Sequence, residues 1–298
     1  MNRNNIIIVV LYKKQLYDSD TIKSLLNIDG NLFKLIVVNN GPEILKTSNA
    51  DYLDLLENIN LKGFDFNLYE YTNNKPLSFL YNDIINEHLD YETYTIFDDD
   101  TIFDENYFSL VFQGDDSYDI ILPDIISITD KKKYYPILNN SIIHGDVLSY
   151  NLVKSDNLFS ISSGMIISHK LVNKFSSKNR LVFNESFALY GVDFSLFRGM
   201  KLLKNKFGIN FNIKFNSEVL HSLSRLDKRE NESRQTERFI DIFLSRTLYP
   251  DGIIRLFLFY AKCFYTSLVD ANFKKIKLII FLLVNKKHPR CKSFKEHK

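Results

Sequence analysis

Tyr94-Thr95-Ile96-Phe97-Asp98-Asp99-Asp100 sets four strand-prone residues directly against three carboxylates. β-Branched and aromatic side chains suit a pleated, buried surface. Three adjacent like charges repel one another and call for a cation or a set of donors among them. A strand that stops on acid groups fits a sheet whose carboxyl-terminal edge faces a crevice.

Upstream, Ile6-Ile7-Ile8-Val9-Val10-Leu11 reads as a strand buried on both faces. Asp18 to Ile28 reads as a helix with Ser19 or Asp20 as its cap. Leu35-Ile36-Val37-Val38 is a second buried strand, stopped by the turn signal Asn39-Asn40-Gly41-Pro42. Phe64 to Tyr71 alternates like a third strand. Leu77, Leu80, Tyr81, Ile84 and Ile85 have the spacing of an amphipathic helix over Leu77 to Leu89. This alternation predicts an α/β fold, a mostly parallel sheet with helices on both faces. Its strand ends carry Tyr12, Asn39 and Asn40, Asn73 and Asn74, and Asp98 to Asp100, all converging on one crevice.

The second half is less regular. Ile120-Ile121-Leu122 is a short strand closed by Pro123, and a polar loop follows to about Tyr150. Val192 to Leu203 is a helix, Ile209 to Phe215 a strand, and Leu226 to Leu248 a charged helix. After Pro250-Asp251-Gly252 come an aromatic-rich amphipathic segment, Ile253 to Val269, and a basic tail. The expected division is a body over residues 1–250 and a C-terminal attachment region over 251–298. Phe257, Tyr260, Phe264 and Leu268 lie at helical spacing, as for packing on the body. The interfacial alternative dips that stripe and Ile276 to Val284 into a membrane leaflet.

Composition narrows the classes. Hydrophobic residues make up 45% and charged residues 25% of 298, which excludes a disordered or collagen-like chain. With 10 glycines, a phosphate-cradling glycine loop is not expected. Cys263 and Cys291 are the only cysteines, so there is no disulfide framework and a reducing compartment is expected. The net charge of +2 is unevenly spread: Asp270 to Lys298 holds nine Lys/Arg against Asp270 and Glu296. A basic end on an acidic body points to anionic headgroups, and nucleic acid is not expected because no recognised binding module accompanies it. Ile6 to Tyr12 is too short for a signal peptide, and Leu278 to Val284 falls well short of the roughly 20 residues of a spanning helix.

In an extended strand Asp98 and Asp100 point to one side and Asp99 to the other. Two carboxylates on one side suit Mg²⁺ or Mn²⁺ bound together with substrate phosphates. Asp193, after the Tyr190-Gly191 turn, opens a helix and can project into the crevice as a general base, or serve as an ordinary cap.

Val10-Leu11-Tyr12, Val38-Asn39-Asn40-Gly41, Asn74-Lys75-Pro76-Leu77-Ser78 with Tyr81-Asn82, the Asp98-Asp99-Asp100 triplet, Ser163-Gly164-Met165 and Tyr190-Gly191-Val192-Asp193 follow one another in a telling order. Over about residues 6 to 225 the chain resembles the family 2 glycosyltransferases of GT-A fold found in bacterial O-antigen and capsule assembly. The resemblance implies an inverting, metal-dependent transfer of a hexose or deoxyhexose from a UDP- or dTDP-linked donor. It implies a polyprenyl diphosphate-linked saccharide as acceptor, at the cytoplasmic, inner face of the cell membrane. Leu11 and Tyr12 would flank the base. Asn39, Asn74, Asp98 and Asp99 would line the donor, with Asn39 where relatives use Asp and Asp98 toward the ribose. Asp100 would hold the Mn²⁺ or Mg²⁺, and Asp193 would be the base. His221 falls where relatives place a His near metal or phosphates, and Arg225 follows it as a diphosphate contact or part of an exposed helix face. Separately from the resemblance, Lys75 sits in a crevice loop and is a candidate phosphate contact. Val192 departs from the family, which has Glu there.

Two other readings stand beside this one. Phe97 to Ile102 partly resembles the nucleophile motif of haloacid-dehalogenase-type phosphatases, with Asp98 as nucleophile, but Asp115-Asp116 come too soon for the second acidic motif. Val192 favours a nucleotide-sugar or glycan-binding module without turnover.

Overall fold

The computed structural model describes residues 4–112, 117–143, 149–223 and 232–296. Arg225, Asp115 and Asp116, and the start of the expected helix at Leu226 lie outside them.

The first hundred residues build four parallel strands with helices between. These are β1 (Asn5–Leu11), α1 (Asp20–Leu25), β2 (Phe33–Asn39), α2 (Ala50–Leu61), β3 (Asp65–Glu70), α3 (Leu77–Glu87) and β4 (Thr93–Asp98). β5 (Thr101–Ile102), α4 (Ser109–Phe112), β6 (Ile120–Ser127), β7 (Lys133–Tyr135), β8 (Ile137–Leu138), β9 (Ser141–Ile142), β10 (Ser149–Asn151) and β11 (Leu158–Phe159) follow. Then come β12 (Met165–Ser168), α5 (His169–Ser176), α6 (Val192–Phe207), β13 (Asn212–His221), α7 (Glu232–Leu248), α8 (Ile253–Val269), α9 (Phe273–Asn285) and α10 (Pro289–Glu296).

The main sheet has the path β10-β13-β6-β12-β4-β1-β2-β3, and β11, β8 and β9 form a small sheet. β12 runs antiparallel to both β4 and β6, while β13 runs parallel to β6. All the long strands except β12 therefore point the same way, and Leu11, Asn39, Asp98, Ser127 and His221 end at one edge. The start of β12, preceded by Ser162-Ser163-Gly164, lies at that edge too.

Strand alternation sorts the apolar side chains into two layers. Ile6, Ile8, Val10, Ile36, Val38 and Ile96 pack with α3, α5, α6 and the C-terminal helices. Ile7, Val9, Leu11, Leu35, Val37 and Phe97 pack on the other face with Ile22 of α1 and Leu55 and Ile59 of α2. Each such side chain contributes about 1.5–3 kcal/mol when fully buried, so the uninterrupted β-branched runs hold the sheet between two helical layers.

Several boundaries differ from the sequence expectation. The helix expected over Asp18 to Ile28 is cut to α1 because Ser19 leaves helical geometry and its hydroxyl accepts from the Ile22 amide at 3.2 Å. β6 does not close at Pro123 but runs on to Ser127. On one side β12 partners only Ile120 and Ile121 and β7 only Ile125 and Ile126; on the other, β13 bulges between Phe215 and Glu218. Pro123 thus falls where no neighbour needs its missing N–H. The polar loop expected to reach Tyr150 contains β7, β8 and β9, with 144–148 outside the described residues. Asp104 and Glu105 lead into a turn, and α4 starts at Ser109.

The C-terminal helices are part of the packed body. Cys263 of α8 and Ile279 and Leu282 of α9 join the cluster of Ile240, Phe243 and Leu244 on α7. Cys291 of α10 packs with Phe79 and Ala188. No helix among the described residues is long and apolar enough to cross a membrane. Because Leu282 is fully buried, Leu282→Ala should cost about 2–5 kcal/mol, measured by urea unfolding as a lower midpoint within one transition. A separate early transition would mean that the tail folds apart from the body.

Candidate functional site

The acidic triplet does not continue as a strand: β4 ends at Asp98, Asp99 and Asp100 form a turn, and β5 opens at Thr101. Simple alternation is therefore broken, yet Asp98 and Asp100 still face one another through a third group. β13 pairs with β5 so that His221 lies opposite Thr101. Its Nδ1 is 2.9 Å from Asp100 Oδ1 and its Nε2 3.6 Å from Asp98 Oδ2. Asp98, Asp100 and His221 offer ligand atoms all within 4.8 Å of one another.

The backbone of this turn is gripped from several sides. The Thr21 hydroxyl donates to the Asp98 carbonyl at 2.5 Å and accepts from the Thr101 amide at 2.9 Å. The Ser19 hydroxyl and the Asp20 amide both donate to the Asp99 carbonyl. The Asp98 amide donates to Ser163 Oγ at 3.1 Å, and that hydroxyl also bonds Thr101 Oγ1. Gly164 follows with φ +83°, and a Cβ there would stand 2.8 Å from the Tyr107 hydroxyl and 2.9 Å from Pro123 Cγ. Only glycine lets the strand β12 start this close to Tyr107 and Pro123.

Charge explains the protonation of the cluster. Burial pushes the Asp98 carboxyl up; His221 opposes this, and Asp100, Asp193 and Asp99 add to it. Asp98 keeps an edge open to solvent, with 41% side-chain exposure, so hydration moderates that push. Burial also pushes Asp100 up, but the hydrogen bond and charge of His221 and the Ser222 hydroxyl outweigh it and hold Asp100 below the usual range. For His221 burial works against the charged form, and Asp100 and Asp98 together raise it above its ordinary value. The two carboxylates thus favour the charged form of His221, at the position where a cation would relieve the same repulsion.

Two carboxylates and one imidazole fit a divalent ion of the Mn²⁺ kind better than Mg²⁺, since imidazole is a poor ligand for the harder ion. Asp99 has other work. Its carboxylate accepts from the Tyr12 amide at 3.0 Å and pairs with Lys14 Nζ at 2.8 Å, fixing the chain that leaves β1. Lys14 was not singled out from the sequence; a cation just past a strand end facing an acidic turn was the available signal. Burial lowers the Lys14 ammonium, but Asp99, Asp100 and Asp20 more than offset that.

The other residues expected on the donor side fall into two kinds. Tyr12 is 45% exposed at the crevice edge, whereas Leu11 is wholly buried behind it. The Asn39 amide is buried, donating to the Glu43 carbonyl and Glu70 and accepting from the Gly41 amide. Its hydrogen bonds are used in shaping the turn. Asn74 sits at φ +53° and accepts from Asn40 Nδ2 at 3.3 Å, linking the ends of β2 and β3. The Lys75 ammonium is turned inward, 2.9 Å from Asp83 and over the Tyr71 ring. It is therefore not presented to a phosphate.

Asp193 lies in the first turn of α6, and its carboxylate accepts from the hydroxyl and amide of Ser162. Burial raises its pKa to about 6, against those hydrogen bonds and His221, with Asp241 adding to the rise. The preceding Gly191 has φ +80°, and a Cβ there would fall 1.9 Å from Asp241 Oδ1. Val192 is fully buried in the core, so the second carboxylate beside this turn comes from Asp241 of α7. The fully buried Tyr81 lies near both Asp98 and Asp193; burial, then their two charges, push its hydroxyl well up.

Neither a protein-family model nor a curated protein matches the chain. Among solved structures it is similar to TarS of S. aureus, with a TM-score of 0.55 and 13% identity over 85% of this chain and 41% of that one. The chain thus spans less than half of that TarS chain. Residues 1–349 of TarS align with a TM-score of 0.53 at 12% identity, covering 85% of this chain and 67% of that one. In complex with UDP-GlcNAc the same piece gives 0.52 at 13%, covering 85% and 68%. The likeness is one of architecture: the chain has the GT-A glycosyltransferase fold.

If the acid cluster binds a cation, Mn²⁺ at one hundred times its dissociation constant adds about 2.7 kcal/mol. Differential scanning fluorimetry should read this as a rise of roughly 4–5 °C, larger than with equal Mg²⁺ and absent in Asp100→Asn. An equal shift in the variant would remove the cluster from consideration.

Proposed function

We propose that this chain is an inverting, metal-dependent glycosyltransferase that moves a hexose or deoxyhexose from a UDP- or dTDP-linked donor. Its acceptor is a saccharide carried on polyprenyl diphosphate, in the assembly of a surface polysaccharide such as O-antigen or capsule at the inner face of the cell membrane. The observation that carries this is the meeting of Asp98, Asp100 and His221 with Asp193 along one sheet edge. The fold shared with TarS, solved with UDP-GlcNAc, supports the donor class. The sequence motifs support the family 2 membership and the acceptor class.

A cation held by Asp98, Asp100 and His221 would supply neutralisation of the departing diphosphate. The remaining work belongs to side chains of this protein. Asp99 and Lys14 hold the loop that presents the exposed Tyr12 ring to the nucleotide base. Asn40 and Asn74 hold the two neighbouring turns together across the donor side of the crevice. Asp193 takes the proton from the attacking acceptor hydroxyl. That oxygen bonds the anomeric carbon from the face opposite the diphosphate, which leaves with the bonding electron pair. A single displacement of this kind inverts the anomeric centre. A pKa near 6 leaves Asp193 mostly ionised at neutral pH and still basic enough to accept the proton.

Nucleotide release from UDP- and dTDP-sugars with a saccharide acceptor tests the reading. Asp193→Asn should lower kcat by about 10²–10⁴-fold, while the UDP- and Mn²⁺-dependent melting shift persists. The rate of the unaltered protein should fall as pH drops through about 6 and Asp193 takes up its proton. Full turnover in the variant would show that Asp193 is not the base. Donor binding without turnover in the unaltered protein would identify a binding module.

A further inference from the structure

The expected interfacial stripe of Phe257, Tyr260, Phe264 and Leu268 is split by the fold: Tyr260 and Phe264 pack against the core, while Phe257 and Leu268 face outward. The outward stripe is rotated from it. On α8 the buried Cys263 and Ser267 mark the inner side. The opposite side carries Ile254, Phe257, Leu258, Tyr265, Leu268 and Val269, every one more than 60% exposed. α9 packs against α8 after a short turn, with Ile279 and Leu282 inward. Phe273, Ile280 and Val284 lie on its outer side and are exposed at 70%, 50% and 75%.

Two helices packed together thus each present a row of exposed apolar side chains, of a kind soluble monomers rarely leave uncovered. Exposed cations accompany these rows: Arg255 and Lys262 on α8, Lys274 beside the α9 row, Lys277 within it between Phe273 and Ile280, and Lys286 just beyond. From Ile253 to Lys298 the chain has eleven Lys/Arg against Asp270 and Glu296. A second copy seated face to face would bring these like charges together. An apolar layer covered by anionic groups satisfies both the apolar rows and their cations.

We infer that the paired outer faces of α8 and α9 form the docking surface for an anionic lipid bilayer, lying in the interface plane without spanning it. This deepens the membrane element of the proposed function. It does not depend on the chemistry of the acid cluster, so nucleotide binding and membrane binding can fail independently.

Flotation of the full chain with phosphatidylcholine vesicles and with vesicles containing 30 mol% phosphatidylglycerol tests it. The protein should float with the anionic vesicles, and at least tenfold less with the neutral ones or in high salt. Phe257→Ser/Leu258→Ser/Leu268→Ser, all at exposed positions, should lose flotation at an unchanged melting temperature. Lys274→Glu/Lys277→Glu should lose it in the same way without altering any apolar side chain. Equal flotation of the triple-serine variant would overturn the proposal, as would equal binding to neutral vesicles. A salt-insensitive dimer that the serine variant dissolves, with no flotation, would assign the surface to a second copy instead.

Discussion

An imidazole seated between two carboxylates, at the open edge of the sheet, is the contact on which the second half of the fold turns. Asp98, Asp99 and Asp100 are unstable neighbours unless something separates their charges. Asp99 is drawn off by Lys14 and the Tyr12 amide, while His221 stands between the other two. His221 is more than a hundred residues away along the chain, and the pairing of β13 with β5 brings it there. That pairing in turn requires β13 to run beside β6, β6 to outlast Pro123, and β12 to turn sharply at Gly164. The seemingly irregular second half is the scaffold that delivers one side chain.

The first half was legible because its order is local. Ile6 to Leu11 and Leu35 to Val38 are long β-branched runs, and each falls within the strand observed. Leu77 to Glu87 forms the helix that its apolar spacing requires. Ile253 to Val269 is a helix over its whole expected length. Legibility failed where a distant partner decides the outcome. Pro123 is a fair stop signal by itself and is tolerated only because neighbouring strands change at that point. Likewise β13 reaches past Phe215 to His221 because β6 and β5 offer it partners.

The site shows the same division. The acid triplet stands out in any reading, since adjacent carboxylates are costly. Grouping Asp98 with Asp100 and His221 needed three dimensions, as did the separate role of Asp99. Asn39 and Lys75 occupy suggestive positions, yet the structure commits their polar atoms to neighbouring groups. Asp241 could not have been connected with Asp193 from sequence, because the link is the space left by a missing side chain at Gly191.

The last helix joins the two ends of this molecule. After Lys286, in the left-handed conformation, His288 and Arg290 both reach Glu237 of α7. Phe294 then lies against Phe79 and over the Lys75 ammonium, and Arg290 extends a long contact to the Asn74 carbonyl. α7, α9, α10 and the loop after β3 therefore close into a mechanical ring. The α8–α9 pair is thereby joined to the rim that carries Asn74 through packed side chains and ion pairs, and not through chain connectivity alone.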